Sequence, residues 1–279
     1  MKIGIVGLGL IGGSLGLDLK ALDHEILGVS RKATTCEIAV SRGVVDRAST
    51  ELSLLRGAEI IIICTPISAI ADTLKQLIPY LDPDAIVTDV GSVKKPIVDE
   101  CSVLWSNFIG GHPMAGTAEQ GINAAQSNLF QGAAYVFTPN PDTKAIYLDK
   151  LQKLASSVGA TPYICAPQVH DRAVAWISHL PVMVSASLIT SCLGESDPEV
   201  LELAKQLASS GFRDTSRVGG GNPELGRMMA EYNHQALLRS LYAYRDNLDR
   251  IIELIEQEKW DNLAESLQTN QQSRPDFLN

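Results

Sequence analysis

Short apolar runs alternate with segments of helical periodicity over the first 165 residues. This order is typical of a mostly parallel sheet that is covered by helices. A helix is predicted over residues 144–158, and the runs that predict strands are residues 2–6, 25–29, 60–64, 85–89, 133–138 and 161–165. We therefore expect an α/β fold with a doubly wound sheet in residues 1–165.

The strand pattern stops after Pro167, where helical periodicity takes over. Gln168 to Leu193 reads as one helix, with an apolar stripe along one side. Pro181 lies inside it and removes the hydrogen bond to the carbonyl of Ile177, which predicts a kink. We expect residues 166–279 to form a second, all-helical domain.

A longer helix is predicted from Asn222 and Pro223, which are a good cap and first residue. Its apolar residues recur at spacings of three and four: Leu237, Leu241, Tyr244, Leu248, Ile251 and Ile255. So regular a stripe favours a homodimer packed through the helical half of the chain. A bundle within one chain is the alternative.

The bulk composition narrows the class of protein. The chain has 279 residues and a net charge of -9, which argues against a nucleic-acid partner. No apolar run approaches the roughly 20 residues of a membrane span, and the first strand begins directly after Met1, without a signal peptide. The five cysteines are widely spaced, which predicts reduced thiols, a cytoplasmic location and no metal site.

A glycine-rich turn follows the first strand, with the sequence Gly7-Leu-Gly-Leu-Ile-Gly12. Between a strand and a helix this pattern is the fingerprint of a Rossmann-type dinucleotide site. Gly7 makes the tight turn, Gly9 admits the pyrophosphate, and Gly12 lets the helix pack closely on the strand. The cofactor contacts expected at this edge of the sheet are Gly7, Gly9, Leu10, Ile11, Gly12, Thr65 and Pro66.

The end of the second strand selects the cofactor. An NAD site places an acidic residue there for the ribose 2′-hydroxyl, whereas an NADP site uses basic groups for the 2′-phosphate. No Asp or Glu lies between Gly28 and Cys36, and Ser30, Arg31 and Lys32 occupy the turn. These residues favour NADP, and the alternative is that both cations belong to a solvated loop.

The candidate catalytic residue is His112, which follows two glycines and precedes Pro113. Such a histidine is expected on a restrained loop at the end of a strand, where open α/β sheets bind ligands, and its chemistry suits proton transfer near neutral pH. Ser92 emerges at the same edge and could bond His112, bond the reacting hydroxyl, or cap the helix that starts at Lys95. Lys94 is expected to be a surface charge rather than a catalytic group.

Two further groups are candidates for substrate binding. His179 lies beside the predicted kink, either as a ligand or as a satisfied helix histidine. His170 is nine positions earlier, so in a straight helix the two imidazoles could not face one site. Arg213 and Arg217 lie in a predicted polar loop over residues 211–219, where arginines can clamp a carboxylate or remain in solvent.

Together these pieces resemble the TyrA family, the prephenate and arogenate dehydrogenases of tyrosine biosynthesis. The resemblance covers nearly the whole chain, and Val182 stands where many relatives have a second histidine. The motifs that carry it are Gly7–Gly12, Thr88–Lys94, Gly111–Gly116, Ser178–Pro181 and Gly211–Arg217.

The resemblance implies a function and roles for residues. It implies that His112 is the catalytic residue with Ser92 as its partner, and that His179 and Arg217 line the substrate site, Arg213 being the weaker clamp. It implies oxidative decarboxylation of a cyclohexadiene substrate, and the NADP preference favours arogenate over prephenate. The alternatives are a β-hydroxyacid dehydrogenase and a non-catalytic NADP sensor, which would not need His112.

Overall fold

The computed structural model describes residues 1–117 and 119–278. Eight strands form one sheet in the order β3-β2-β1-β4-β5-β6-β7-β8. The strands are β1 (Lys2–Val6), β2 (Glu25–Val29), β3 (Arg47–Ser49), β4 (Ile60–Ile63), β5 (Ile86–Asp89), β6 (Phe108–Pro113), β7 (Ala134–Thr138) and β8 (Thr161–Ile164).

The helices divide between the sheet region and the C-terminal half. They are α1 (Leu10–Lys20), α2 (Ala33–Ser41), α3 (Ile70–Leu77), α4 (Lys95–Leu104), α5 (Ala145–Ser157), α6 (Pro167–Val174), α7 (Leu180–Leu193), α8 (Pro198–Leu207), α9 (Ser210–Ser216), α10 (Pro223–Tyr232), α11 (His234–Glu256) and α12 (Trp260–Ser273). Two compact units result, Met1–Asn233 and a second unit that begins at His234. In the second unit α11 and α12 pack against each other.

The predicted α/β architecture is confirmed, with three differences in the sheet. Neighbouring strands are parallel except β6 and β7, whose residues 110–113 and 135–138 pair antiparallel. β3 was not predicted because it is a three-residue edge strand of sequence Arg-Ala-Ser, which has no apolar run. β6 also continues through Pro113, so His112 lies within the strand rather than on the expected loop.

The sheet buries side chains on both of its faces. This explains why β4 consists of four consecutive isoleucines. Successive side chains of a strand point to opposite faces. Ile60 and Ile62 pack with residues of α1 and α5, whereas Ile61 and Ile63 pack with residues of α3 and α4. A strand covered on both faces therefore reads as a continuous apolar run.

The helical run after Pro167 is broken where the sequence predicts the kink. A π-helical turn, Ala175–His179, separates α6 from α7, and Pro181 lies in the first turn of α7. Proline has no N–H, so Pro181 cannot make the usual α-helical hydrogen bond to the residue four positions earlier. The wider π turn just before it lets the helix continue without that bond. The π turn lies where the kink was predicted, and the run stays helical on both sides of it, with a wider turn in place of a regular α-helix.

Two other predictions about the C-terminal half are corrected. The segment expected as a polar loop forms the short helix α9. Asn222 does cap α10 as predicted, by accepting from the N–H of Glu224, but this helix ends at Tyr232. Asn233 breaks it with φ -121° and ψ 30°, so the predicted apolar stripe belongs to a separate helix, α11.

The run Pro167–Leu193 also contradicts the expectation that no segment approaches a membrane span. By length and composition it could cross a membrane, with 27 residues and a mean hydropathy of 1.5 in its most apolar window. However, it carries His170, Asp171 and His179, which are buried in the protein. The run therefore contributes polar side chains to the interior of this fold, although only 28% of its most apolar window is buried.

Stability should depend on the side chain that begins β6. Phe108 is fully buried between β5 and the helices on one face of the sheet. We expect Phe108→Ala to lower the free energy of unfolding by about 3–5 kcal/mol, through lost burial and a cavity. The measurement is urea unfolding followed by circular dichroism. Val103→Ala is the matched control, because Val103 on α4 is 87% exposed, and an equal loss there would contradict this assignment of the core.

Candidate active site

The glycine-rich turn at the end of β1 requires glycine at two positions. Gly7 has a φ of +102°, and a Cβ there would lie 2.5 Å from the carbonyl oxygen of Cys64. A Cβ on Gly12 would lie 2.1 Å from the carbonyl oxygen of Gly7. No side chain fits at these distances, so the turn and the close packing of α1 on β1 need both glycines.

Gly9, by contrast, faces open space. A Cβ built there would meet nothing within 4 Å. Gly9 precedes α1, whose first residues are Leu10 and Ile11, and no side chain caps this helix. The free N–H groups and the helix dipole favour an anion, and the open space leaves room for one. The residues therefore fit the pyrophosphate of a dinucleotide.

The candidate residues for the adenosine side lie beside this turn. In the sheet Val29 pairs with Val6, so Ser30, Arg31 and Lys32 follow β2 next to Gly7. Arg31 and Lys32 are exposed, and neither forms a salt bridge within the part of the chain that the structure describes. Both cations are therefore available to an anionic ligand.

Thr65 and Pro66 lie on the other side of the same turn. The N–H of Cys64 donates to the carbonyl of Val6 at 2.7 Å, and the backbone nitrogen of Thr65 would lie 3.0 Å from a Cβ on Gly7. The Thr65 hydroxyl oxygen is buried without a hydrogen-bond partner among the described residues. A buried hydroxyl beside the nucleotide turn fits a contact to the cofactor.

His112 is joined to a second histidine that the sequence analysis set aside. Its Nδ1 lies 2.8 Å from Nε2 of His170, and Nδ1 of His170 lies 2.8 Å from Oδ1 of Asp171. All three residues are buried, with 8%, 2% and 5% of their surfaces exposed. The expectation that His170 and His179 face different sites held for a straight helix, and the π turn between them removes that condition.

The surroundings of His112 keep its imidazole neutral. Burial, followed by the nearby His170, Lys94 and His179, holds the pKa of His112 well below its ordinary value. The pKa of His179 is lowered to about 4, mainly by burial; the charge of Asp171 opposes this shift and His170 adds to it. Both imidazoles can therefore accept a proton or a hydrogen bond at neutral pH.

Lys94 is wholly buried, which corrects the expectation of a surface charge. Its ammonium pairs with the carboxylate of Asp89 at the end of β5 and donates to the carbonyl oxygen of Gly111 at 2.6 Å. Burial lowers the pKa of Lys94, while the neighbouring Asp89 opposes that shift. Lys94 therefore fixes the backbone directly before His112.

Ser92 and His179 each have one atom without a partner. Ser92 does not cap α4, because the carboxylate of Asp171 accepts from the N–H groups of Lys94 and Lys95 at 2.7 and 2.8 Å. Among the described residues, the Ser92 hydroxyl and Nε2 of His179 are buried without hydrogen bonds. Nδ1 of His179 lies 3.2 Å from the amide nitrogen of Asn233. These unpartnered atoms fit a polar substrate that is bound beside His112.

The two candidate arginines remain exposed. Arg213 pairs with Asp214 at 3.1 Å, and Arg217 follows the end of α9. Within residues 1–117 and 119–278, no hydrogen bond or salt bridge connects either arginine to His112 or His179. Their role in clamping a carboxylate therefore stays a prediction.

The sequence did not reveal the buried residues that hold His112 and its backbone in place through hydrogen bonds. These are Asp89, His170, Asp171 and Asn233, together with Lys94, which was noticed but placed on the surface. The one available signal was the adjacent pair His170-Asp171 in a strongly apolar stretch of helix. Buried polar side chains need hydrogen-bond partners, and here those partners come from distant parts of the chain.

The two glycines should respond differently to the same added methyl group. Gly12→Ala should lower the midpoint of urea unfolding, because its Cβ would collide with the backbone of Gly7. Gly9→Ala should leave that midpoint unchanged and weaken dinucleotide binding about tenfold or more, because the methyl group takes up the ligand's space. Fluorescence titration with NADPH measures the binding. Equal affinities of Gly9→Ala and the wild type would contradict the placement of the pyrophosphate.

Comparison with known proteins identifies the family. A family profile described as "Prephenate dehydrogenase, nucleotide-binding domain" matches residues 15–164, and "Prephenate dehydrogenase, dimerization domain" matches residues 166–269. The chain is 33% identical over 273 residues to the prephenate dehydrogenase of Bacillus subtilis, which covers 95% of this chain and 73% of that protein.

Solved structures agree with this match. The structure of Synechocystis arogenate dehydrogenase has a TM-score of 0.90 and 57% identity, and the match covers 99% of this chain and 100% of that one. The structure of A. aeolicus prephenate dehydrogenase in complex with hydroxyphenyl propionate and NAD+ has a TM-score of 0.93 and 27% identity, covering 99% and 98% of the two chains. Since both parts of the chain match one family, this protein belongs to the TyrA family of prephenate and arogenate dehydrogenases.

Proposed function

We propose that this dehydrogenase carries out the NADP-dependent oxidative decarboxylation of arogenate to tyrosine. The observation that carries the proposal is the buried, neutral His112 at the carboxyl edge of the sheet, beside a turn that fits a dinucleotide. The similarity to an arogenate dehydrogenase at 57% identity supports arogenate as the substrate. Prephenate is the second candidate, because the relative from Bacillus subtilis is a prephenate dehydrogenase.

The turn after β2 supports NADP as the cofactor. Its exposed residues are Arg31 and Lys32, and the stretch from Gly28 to Cys36 contains no carboxylate that would repel a 2′-phosphate. Arginine binds phosphate through paired N–H donors, and Ser30 can add a hydroxyl donor. When bound, the nicotinamide ring of the cofactor supplies the hydride acceptor.

In the reaction, His112 acts as the general base. Its neutral imidazole accepts the proton of the substrate's 4-hydroxyl as the hydride leaves the same carbon, so that a carbonyl group forms there. Loss of the ring carboxylate as CO2 then returns an electron pair through the ring to this oxygen, and the ring becomes aromatic. The resulting phenolate takes the proton back from His112. The products are tyrosine, CO2 and NADPH, with no net uptake of a proton from solvent.

Other side chains position the substrate. The unpartnered Ser92 hydroxyl can bond the reacting oxygen, and Nε2 of His179 can bond a second polar group. Arg217, with Arg213 as the weaker candidate, is proposed to clamp a substrate carboxylate. Burial of His112 and His179 excludes water, which strengthens these interactions.

We also propose that the chain works as a homodimer. The matched C-terminal domain is described as a dimerization domain. α8 exposes Val200, Leu203 and Leu207, and α11 exposes several apolar residues of the predicted stripe. Exposed apolar surfaces of this kind are typical of protein interfaces.

We propose a cytoplasmic location, which the five free cysteine thiols support.

The experiment that tests the proposed function crosses two substrates with two cofactors. We expect the purified protein to reduce NADP with arogenate, with kcat/KM about 100-fold or more above every other combination, because discrimination depends on specific polar contacts. Reduction is followed by nucleotide absorbance. The separate variants Ser92→Ala and His112→Asn should both lower the rate, which checks that the signal arises at this site. Preference for prephenate would overturn the choice of substrate, and preference for NAD would overturn the choice of cofactor.

Absence of turnover in all four mixtures would overturn the enzyme hypothesis itself. A β-hydroxyacid dehydrogenase would instead reduce the nucleotide with a 3-hydroxy acid, and a sensor would bind NADPH without turnover. NADPH titration in parallel shows whether the protein still binds the nucleotide when it does not turn over. For the proposed enzyme, His112→Asn should lose turnover but keep nucleotide affinity within about twofold.

A further inference from the structure

We propose that His170 and Asp171 are positioning residues that hold His112 with its proton on Nδ1 and its lone pair on Nε2. The inference rests on the proposed function, in which His112 is the base, and adds how Nε2 of that base is kept unprotonated. It follows from the donor and acceptor roles along one buried chain of hydrogen bonds.

The chain of hydrogen bonds starts at Asp171, which can act only as an acceptor. The two carboxylate oxygens of Asp171 accept from the backbone N–H groups of Lys94 and Lys95 at 2.7 and 2.8 Å. They lie at the N-terminus of α4, where the helix dipole favours a negative charge. An ionised carboxylate has no proton to donate. Asp171 is therefore an acceptor toward every neighbour, including His170.

The tautomer of each imidazole then follows in turn. Because Oδ1 of Asp171 accepts, Nδ1 of His170 donates across their 2.8 Å contact. In this proposal His170 is neutral, and a neutral imidazole that donates through Nδ1 accepts through Nε2. Nε2 of His170 therefore accepts from Nδ1 of His112, also at 2.8 Å. His112 is left with an unprotonated Nε2, the atom that a general base needs.

The environment leaves few competing partners for this chain. His170 and Asp171 are 2% and 5% exposed, so bulk water does not reach their hydrogen bonds. The other charged or titratable groups that act on His112 are Lys94 and His179. Lys94 is occupied by Asp89 and the carbonyl of Gly111, and His179 by Asn233. Neither offers Nδ1 of His112 an alternative partner.

The arrangement has a consequence for catalysis. With the opposite tautomer, Nε2 of His112 would carry a hydrogen and could only donate to the substrate hydroxyl. With the observed partners, Nε2 takes the substrate proton and His112 becomes a cation whose Nδ1–H stays bonded to His170. The proton stays on His112 until the product oxygen takes it back, so His170 and Asp171 position the base without accepting the substrate proton.

Nitrogen NMR tests the tautomer without any turnover. In the wild-type protein labelled with 15N-histidine, the spectrum should assign His112 as protonated on Nδ1 and unprotonated on Nε2 at neutral pH. His112→Asn identifies its signals. In His170→Leu the preference should be lost or reversed, because Nδ1 loses its acceptor. A wild-type His112 that is protonated on Nε2 would overturn the proposal, even if the protein proves to be an active arogenate dehydrogenase.

Kinetics test the consequence with a conservative rescue. His170→Leu should lower kcat about 100-fold with KM within about threefold, the magnitude typical of losing a group that orients a reacting imidazole. His170→Gln should recover kcat to within about tenfold of the wild type, because a side-chain amide oxygen can accept from Nδ1 of His112. His24→Leu is the matched control, since His24 lies near the N-terminus and contacts only Met1 by hydrogen bonding among the described residues.

The outcomes separate this proposal from the proposed function. Unchanged kcat in a folded His170→Leu protein would overturn the positioning role while the substrate assignment stands. Equal losses in His170→Leu and His170→Gln would also overturn it, because they would indicate packing rather than an acceptor for His112. If His170→Leu does not fold, the wild-type tautomer and the kinetics of His170→Gln still decide. Failure of every substrate with wild-type protein would overturn the proposed function but leave the NMR result valid.

Discussion

A buried ion pair holds the active-site edge of the sheet together. Lys94 and Asp89 have no exposed side-chain surface, and Asp89 also accepts from the N–H groups of Gly91 and Gly111 at 2.8 and 3.1 Å. The pair thereby ties the end of β5, the turn into α4 and the centre of β6 to one point. Removal of one partner from such a pair leaves an uncompensated buried charge, which typically costs about 3–5 kcal/mol. This constraint fixes the backbone that carries His112.

The helical segment after the sheet depends on the same point. Asp171 on α6 caps α4 where Lys94 begins it, and Asn233 donates to the carbonyl of Asp171 at 2.8 Å while lying beside His179. One acidic side chain thus connects the helices to the sheet and, through His170, to His112. The helical segment therefore supplies residues without which this hydrogen-bond network is incomplete.

Local rules were sufficient where the cause is local. The strands on either side of the glycine turn, the turn itself and the kink before Pro181 were predicted because each follows from neighbouring residues. Ser92 and His112 were also expected at one edge of the sheet, and the parallel pairing of β5 with β6 confirms that placement. The geometry of the cofactor edge likewise follows from the order of the strands.

The rest depended on contacts between residues far apart in the chain. Nothing near Lys94 in the sequence shows that Asp89 and Gly111 surround its ammonium, so a lysine at a helix start looks like a surface charge. The placement of His170 relative to His179 depends on the π turn between them, which a regular 3.6-residue period does not predict. The break at Asn233 likewise arises from partners more than 50 residues away. Tertiary partners, rather than local propensity, decided each of these cases.

In the proposed reaction, oxidation at the hydroxyl-bearing carbon and loss of the ring carboxylate occur together at His112. The most direct measurement uses arogenate labelled with 13C in the ring carboxylate and counts the labelled CO2 released for each NADPH formed. We expect a ratio of one under all conditions, because aromatisation follows each hydride transfer. NADPH formed without labelled CO2 would contradict this expectation and would indicate a simple alcohol dehydrogenase.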